Sequence, residues 1–283
     1  VNLLRELRHQ NIVRYFDRII DRSRAIIYII MEYCQGGDLA TIIAQKRKDT
    51  THVPEDFAWK ILIQTTQALK ECHQRKNGKA VLHRDLKPAN VFLDADSNVK
   101  LGDFGLARVL HNESSFAQTY VGTPYYMSPE LVNNQSYNEK SDIWALGCML
   151  YELCALSPPF TALNQSELNR KIRNGDYPRL PSQYSQELDT IIRKMIQVEV
   201  LKRPSIDSIL ADSLVQRKQE FLERKNIIKQ KNHDSNSNGR ISGSGDQADI
   251  IYEDLFAKMR QLELKEKELE SRERSVALRE KLA

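Results

Sequence analysis

Cysteine is scarce and unpaired in this chain. Cys34, Cys72, Cys148 and Cys154 form no CxxC pair, and no histidine cluster accompanies them. That argues against a disulfide framework or a metal site and points to a reducing intracellular compartment. Excess charge of one sign is lacking too. The net charge is +4 with 28% of residues charged, so there is no electrostatic case for nucleic-acid binding. The longest apolar run, Ile143 to Leu156, is interrupted by Glu152 and too short to span a bilayer, so it is expected as a buried helix and no membrane association is expected. No signal peptide is visible. The chain opens on Val1 rather than Met, so an upstream segment is expected. What is present is 41% hydrophobic residues in 283, enough for a sizeable core in one or two domains.

The pattern changes along the chain. "VNLLRELR" places Leu3, Leu4 and Leu7 on one helical face, as the end of a helix. "IVRYFDRII" and "AIIYIIMEY" read as two strands with Asp21–Arg24 as their turn. "GGD" at 36–38 starts a helix, and Pro54 at a first helical position, with Glu55 and Asp56 behind it, opens a longer one. The apolar face of that helix is Phe57, Ile61, Thr65, Ala68 and Cys72. Short apolar runs with polar turns follow, and beyond about residue 140 the pattern is helical. Ile143–Leu156, apolar nearly all round, is expected at the centre of the core. Ser166 and Ser185 are expected as N-caps and Gly175 as a helix stop. The globular part is expected to end near Leu214. Residues 231–248, rich in Ser, Asn and Gly, read as a disordered linker. Residues 251–283 carry eight basic and eight acidic residues, and Leu255, Leu262, Leu269, Val276 and Ala283 recur every seven positions. That is half of a coiled-coil seam. The other half, Met259, Glu266, Glu273 and Glu280, is poor, so a solvated helix and a homodimer through 251–283 both stay open.

The chemistry lies in "VLHRDLKPANVFLD", which packs charge between two apolar runs at 81–94. Asp85 and Asn90 lie five positions apart, and "DFG" at 103–105 follows thirteen residues beyond Asn90. "GTPYYMSPE" at 122–130, "SDIWALG" at 141–147 and Arg203 come later, in an order that fits a phosphoryl-transfer template. Such transfer needs in-line positioning and neutralisation of phosphate charge. Asp103 is a hard carboxylate suited to Mg²⁺, beside Phe104 and a glycine that permits a sharp turn. Asn90 offers a neutral oxygen to a second Mg²⁺. Asp85 accepts the hydrogen bond of a substrate hydroxyl, and Lys87 stabilises charge on the γ-phosphate of ATP. His83 is expected to pack in the core rather than act as a base. Arg84, beside Asp85, is the residue expected to receive a phosphate from the segment that follows.

These motifs resemble those of a protein kinase, and specifically of the NIMA-related (Nek-family) serine/threonine kinases. "LRHQNIVRYFDRIIDR", "MEYCQGGDLA", "VKLGDFGLAR", "VGTPYYMSPE" and "SYNEKSDIWALGCMLYELCALSPPF" are similar to the centrosomal vertebrate branch and its fungal relatives, over about residues 1–215. The resemblance implies an α+β protein-kinase fold, mostly the helical large lobe (35–215) with a remnant of the β-rich small lobe (1–34). A helical extension (216–230), the linker (231–248) and the charged helix or coiled coil (249–283) follow. It implies ATP and Mg²⁺ as cofactors, protein Ser/Thr hydroxyls as substrates, and a cytoplasmic location with centrosome, spindle-pole or nuclear pools. Met31 is implied as gatekeeper, the backbone of Glu32, Tyr33 and Cys34 as the adenine-binding hinge, and Asp38 as a ribose neighbour. Lys87 and Thr123 mark Ser/Thr specificity, with Thr123 bonding Lys87 and Asp85. Ser128 replaces the usual Ala of "APE". Glu130 and Arg203 are implied as a structural ion pair, with Asp142 also structural. Thr119 is the expected regulatory phosphosite, then Ser114 and Ser115.

The resemblance also implies what is missing. Kinases of this family begin with a Gly-rich loop, a strand carrying a Lys and a helix carrying its Glu partner. None of these, and no GxGxxG, occurs in the 283 residues. The chain by itself is therefore expected to be inactive, since losing one preorganised charge-stabilising donor costs about a hundred- to a thousand-fold in rate. Two readings follow. One is a Ser/Thr kinase whose first segment is absent from this sequence, favoured by intact Asp85, Asn90 and Asp103. The other is a truncated kinase-fold scaffold or binding module without catalysis, favoured by the missing lobe.

Overall fold

The computed structural model describes residues 7–74, 80–103 and 125–236. Two antiparallel strands come first, β1 (Tyr15–Asp21) and β2 (Ile26–Met31). Asp21 closes the turn between them: its carboxylate accepts the Ser23 hydroxyl at 2.6 Å and the Arg24 N–H at 3.0 Å. Ile20, Ile27 and Tyr28 of this hairpin are exposed. Leu7 and Arg8, expected as a helix end, lie in no regular element, and the rest of that expected helix is outside the described residues.

Helices α1 (Leu39–Lys48) and α2 (Glu55–His73) follow. Asp38 caps α1 by accepting the Thr41 N–H at 2.8 Å. Pro54 is the N-cap residue of α2 rather than its first helical residue, because its ψ of 144° is extended. On the expected face Ile61, Thr65, Ala68 and Cys72 are buried, and Phe57 is half-buried at its edge. A small antiparallel sheet, β3 (Val91–Leu93) and β4 (Val99–Leu101), packs beside α1 and α2.

Next come the short α3 (Pro129–Val132) and then α4 (Glu139–Ala155). Every residue from Ser141 to Cys154 in α4 is buried. A helix apolar all round can only be satisfied inside other helices, and α2 and α6 (Gln186–Met195) supply that cover. Gly147 makes the α6 contact possible: a Cβ there would lie 2.7 Å from Ile196 Cγ1 and 2.9 Å from Met195 Cβ.

Helix α5 (Gln165–Asn174) is capped by Asn164, not by Ser166, with the Asn164 carboxamide accepting the Glu167 N–H at 2.8 Å. The apolar pattern cannot separate two polar residues that both precede it. Gly175 ends α5 at φ 74°, and Ser185 caps α6. After α7 (Ile206–Leu210), α8 runs from Ser213 to Asn236. It passes the expected end of the helical extension at 230, so the first residues of the expected linker are helical. The first compact unit reaches Lys225 rather than Leu214. Lys218 lies 5.6 Å over Trp59 and 3.7 Å from Glu55, and Lys225 lies 2.5 Å from Asp56, so α8 docks on the acidic first turn of α2. Among the described residues no helix is long and apolar enough to cross a membrane. The rest of 231–248 and all of 249–283 lie outside the described residues.

Candidate active site

The segment between α2 and β3 brings Asp85, Lys87 and Asn90 together. Val81 and Leu86 are buried and anchor the loop, and the 3₁₀ turn Pro88–Asn90 folds it back. Lys87 Nζ lies 2.7 Å from Asp85 Oδ2. The Asn90 amide donates to Asp85 Oδ2 at 3.0 Å and to the Asp85 carbonyl at 2.7 Å. Asp85 Oδ2 is thus occupied, which leaves Oδ1 for an incoming hydroxyl. The Asn90 NH₂ is also occupied, which leaves its amide oxygen for a cation. Gly102 N–H donates to the Asn90 carbonyl at 2.9 Å, so Asp103 follows directly from a residue tied to Asn90. Asp103 is exposed and has φ 53°, a left-handed conformation at the end of β4. Among the described residues no three His, Cys, Asp or Glu cluster as a metal cage. One carboxylate and one amide oxygen are a partial ligand set, of the kind that suits Mg²⁺ carrying phosphate oxygens and water.

Beneath this loop sits Asp142, wholly buried on α4. Its carboxylate accepts four hydrogen bonds: His83 N–H at 3.0 Å, Arg84 N–H at 3.1 Å, His73 Nε2 at 2.7 Å and the Tyr137 hydroxyl. Burial alone would raise its pKa. The bonds from His73 and Tyr137, with His73 and His83 close by, outweigh burial and hold it below the usual carboxylate range. Asp142 thereby fixes Arg84 at φ 68°, unusual for a side chain of that size. The Arg84 guanidinium lies 5.8 Å over the Tyr137 ring.

His83 is fully buried. Its Nδ1 accepts the Asp85 N–H at 3.3 Å, and its Nε2 faces the Gly102 carbonyl at 2.9 Å. A backbone N–H can only donate and a carbonyl can only accept, so the ring is the neutral Nε2–H tautomer. Burial lowers its pKa accordingly, although Asp142 and the Gly102 carbonyl oppose the shift. This imidazole joins the backbone of Asp85 to the residue before Asp103.

The other expected residues take definite places. Met31 ends β2 and is 38% exposed. Glu32 pairs with Lys100 at 2.6 Å, and Tyr33 is exposed. Burial, then Glu32, pushes the Cys34 thiol up to about 11. Asp38, expected beside a ribose, has its carboxylate on Thr41 as the α1 cap. Glu130 and Arg203 form a buried bidentate pair at 2.8 and 2.7 Å. Ser128 is buried at the start of α3. Phe104, Ser114, Ser115, Thr119 and Thr123 lie outside the described residues. Sequence reasoning did not find His73 or Lys100. A lone histidine beside Cys72 carries no periodic or motif signal, and Lys100, though inside "VKLGDFGLAR", has a partner that the motif does not name.

The loop at 81–90 is seated on the buried helix α4, and Asp103 follows just past the short β3–β4 ribbon. Residues 1–215 match the protein kinase domain, and the chain belongs to that family and, within it, to the NIMA-related serine/threonine kinases. It is 52% identical over 277 residues to serine/threonine-protein kinase Nek2 of Homo sapiens, covering 98% of this chain and 60% of that protein. It is 52% identical over 215 residues to the probable serine/threonine-protein kinase nek2 of Dictyostelium discoideum, covering 76% of this chain and 51% of that protein. To the G2-specific protein kinase nimA of Emericella nidulans it is 40% identical over 249 residues, covering 80% of this chain and 36% of that protein. The chain thus spans three fifths or less of the length of these three relatives.

Proposed function

We propose that this chain carries the catalytic large lobe of a kinase that moves the γ-phosphoryl group of ATP to serine or threonine hydroxyls of proteins. The observation that supports this most is the Asp85–Lys87–Asn90 contact set, one backbone hydrogen bond away from the residue before Asp103. Mg·ATP, when bound, supplies the phosphoryl group and the charge neutralisation. Asp85 Oδ1 accepts the hydrogen bond of the attacking hydroxyl and orients it. Lys87, held by Asp85, places a cation where phosphate charge must be stabilised. Asp103 and the Asn90 amide oxygen hold the metal. The hinge backbone at Glu32–Cys34 takes the base. The names of the fungal relatives as G2-specific kinases support a cell-cycle role, and the family resemblance supports a cytoplasmic and centrosomal location.

In the full-length protein Asp103→Asn and Asp85→Asn each abolish Mg·ATP-dependent phosphorylation of a generic protein substrate. Melting stays within a few degrees of the parent. Retained activity in either variant removes that residue from the site.

Regulation belongs to the same reading. A phosphate on Thr119, or on Ser114 or Ser115, brings about −1.5 to −2 charge and three acceptor oxygens. Arg84, its backbone fixed by Asp142, is the proposed receiver. Mass spectrometry of active protein should find phosphate between Asp103 and Glu130, and Thr119→Ala should lower kcat. Active protein with no phosphate in that stretch overturns the assignment.

A further inference from the structure

The hinge carries a carboxylate that base recognition through its backbone does not use. Glu32 turns its side chain onto β4, where Oε1 lies 2.6 Å from Lys100 Nζ. Its Oε2 accepts the Arg14 N–H at 3.1 Å, and its own N–H donates to the Arg14 carbonyl at 2.8 Å. The pair is half-buried, with the Lys100 side chain 15% and the Glu32 side chain 27% exposed. The same strand end is laced to the segment before β1: Val13 N–H donates to the Leu101 carbonyl at 2.9 Å, Leu101 N–H to the Asn11 carbonyl at 2.8 Å, and the Asn11 amide to the Val99 carbonyl at 3.0 Å. At the far end of the hinge, Gly36 N–H donates to the Leu93 carbonyl and Leu93 N–H to the Gly37 carbonyl, both at 2.9 Å. The hinge is therefore a short bridge, and its first pier is an ion pair. Lys100 lies on β4, and Asp103 follows three residues later, just past the end of that strand.

We propose that Lys100 and Glu32 are positioning residues. Their ion pair sets the hinge backbone against β4, so the stretch that takes the base and the strand end that takes the metal are aligned before nucleotide arrives. This rests on the nucleotide-binding reading above. A half-buried, charge-assisted contact restrains its partners more than a surface pair does, and a preordered site binds more tightly because less ordering remains to be done.

The test uses full-length protein with Lys100→Met, Glu32→Gln and Lys100→Arg. Glu32→Gln keeps the side-chain shape and the Arg14 contact, and decides the matter alone should Lys100→Met fail to fold. Lys100→Met and Glu32→Gln are expected to raise KM for ATP and Kd for Mg·ADP about five- to tenfold, with the change falling on KM rather than kcat. Without nucleotide, the amides of Tyr33–Gln35 are expected to exchange hydrogen faster in both. Lys100→Arg is expected to restore both readouts. Parent-like KM and parent-like hinge exchange in Glu32→Gln overturn the proposal. A parent protein that binds no Mg·ADP overturns the kinase reading instead, and nucleotide-free exchange still judges the ion pair.

Discussion

Arg203 and Glu130, 73 positions apart in the chain, meet through two parallel hydrogen bonds inside the helical core. The Arg203 guanidinium also lies 5.0 Å over Trp144 and donates to the carbonyls of Gln197 and Lys140. Ser141 donates to the same Glu130 carboxylate at 2.6 Å. The pair therefore ties α3 to the start of α4 and to the turn before α7.

Arg203→Met leaves the Glu130 charge buried without its partner and should cost about 3–5 kcal/mol of stability. Replacing both, as Glu130→Leu with Arg203→Met, should cost less than Arg203→Met alone. Urea unfolding measures both. Burial pushes the Glu130 carboxyl up, but the Arg203 and Ser141 bonds outweigh it and hold the folded value below the ordinary one. Its stabilisation is thus full above the unfolded carboxylate range and is lost as pH falls through the lower folded value.

His73→Ala removes the 2.7 Å contact to Asp142 Oδ2. A hydrogen bond to a charged group is worth about 1.5–3 kcal/mol, and a melt should register that loss. The more specific readout is the loop above Asp142: the His83 and Arg84 amides, both donating to Asp142, should exchange faster. Unchanged exchange at those two positions would confine His73 to packing.

His83 must stay neutral in the fold. Its folded pKa lies below the unfolded value of about 6.5. The unfolded chain therefore binds the extra proton first, and stability should fall as pH drops from about 6.5 toward the folded value. His83→Asn should flatten part of that slope in melts taken as a function of pH. Half-buried His9, whose pKa burial also lowers, keeps the remainder.

Deleting residues 250–283 should leave the melt of the first compact unit unchanged, because that unit closes at Lys225. If the heptad pattern associates two chains, light scattering should show a dimer before the deletion and a monomer after it. A monomer before the deletion assigns the stretch to a solvated helix.

Much of this could be read from residues alone. The aspartate of "GGD" starts α1 because its carboxylate reaches the Thr41 N–H, a local rule. The all-round apolar run of α4 had nowhere to go but the centre. Local rules failed where two candidates satisfied them equally, as with Asn164 and Ser166. They also failed for α8, which binds the acidic turn of α2 through Lys218 and Lys225, and a charged helix looks solvated until its partner is known. His73 and Lys100 act through partners 69 and 68 positions away, and that pairing exists only after folding.

The Cys34 thiol carries a consequence for anyone approaching it with electrophiles. Burial, then Glu32, pushes the Cys34 thiol up to about 11, so the thiolate is a small minority at pH 7. Iodoacetamide or an acrylamide warhead aimed at the hinge should therefore react sluggishly, and alkylation should accelerate about tenfold for each unit of added alkalinity until the fold gives way. A covalent probe aimed at Cys34 gains little from this thiol and must draw its residence time from shape and hydrogen bonds.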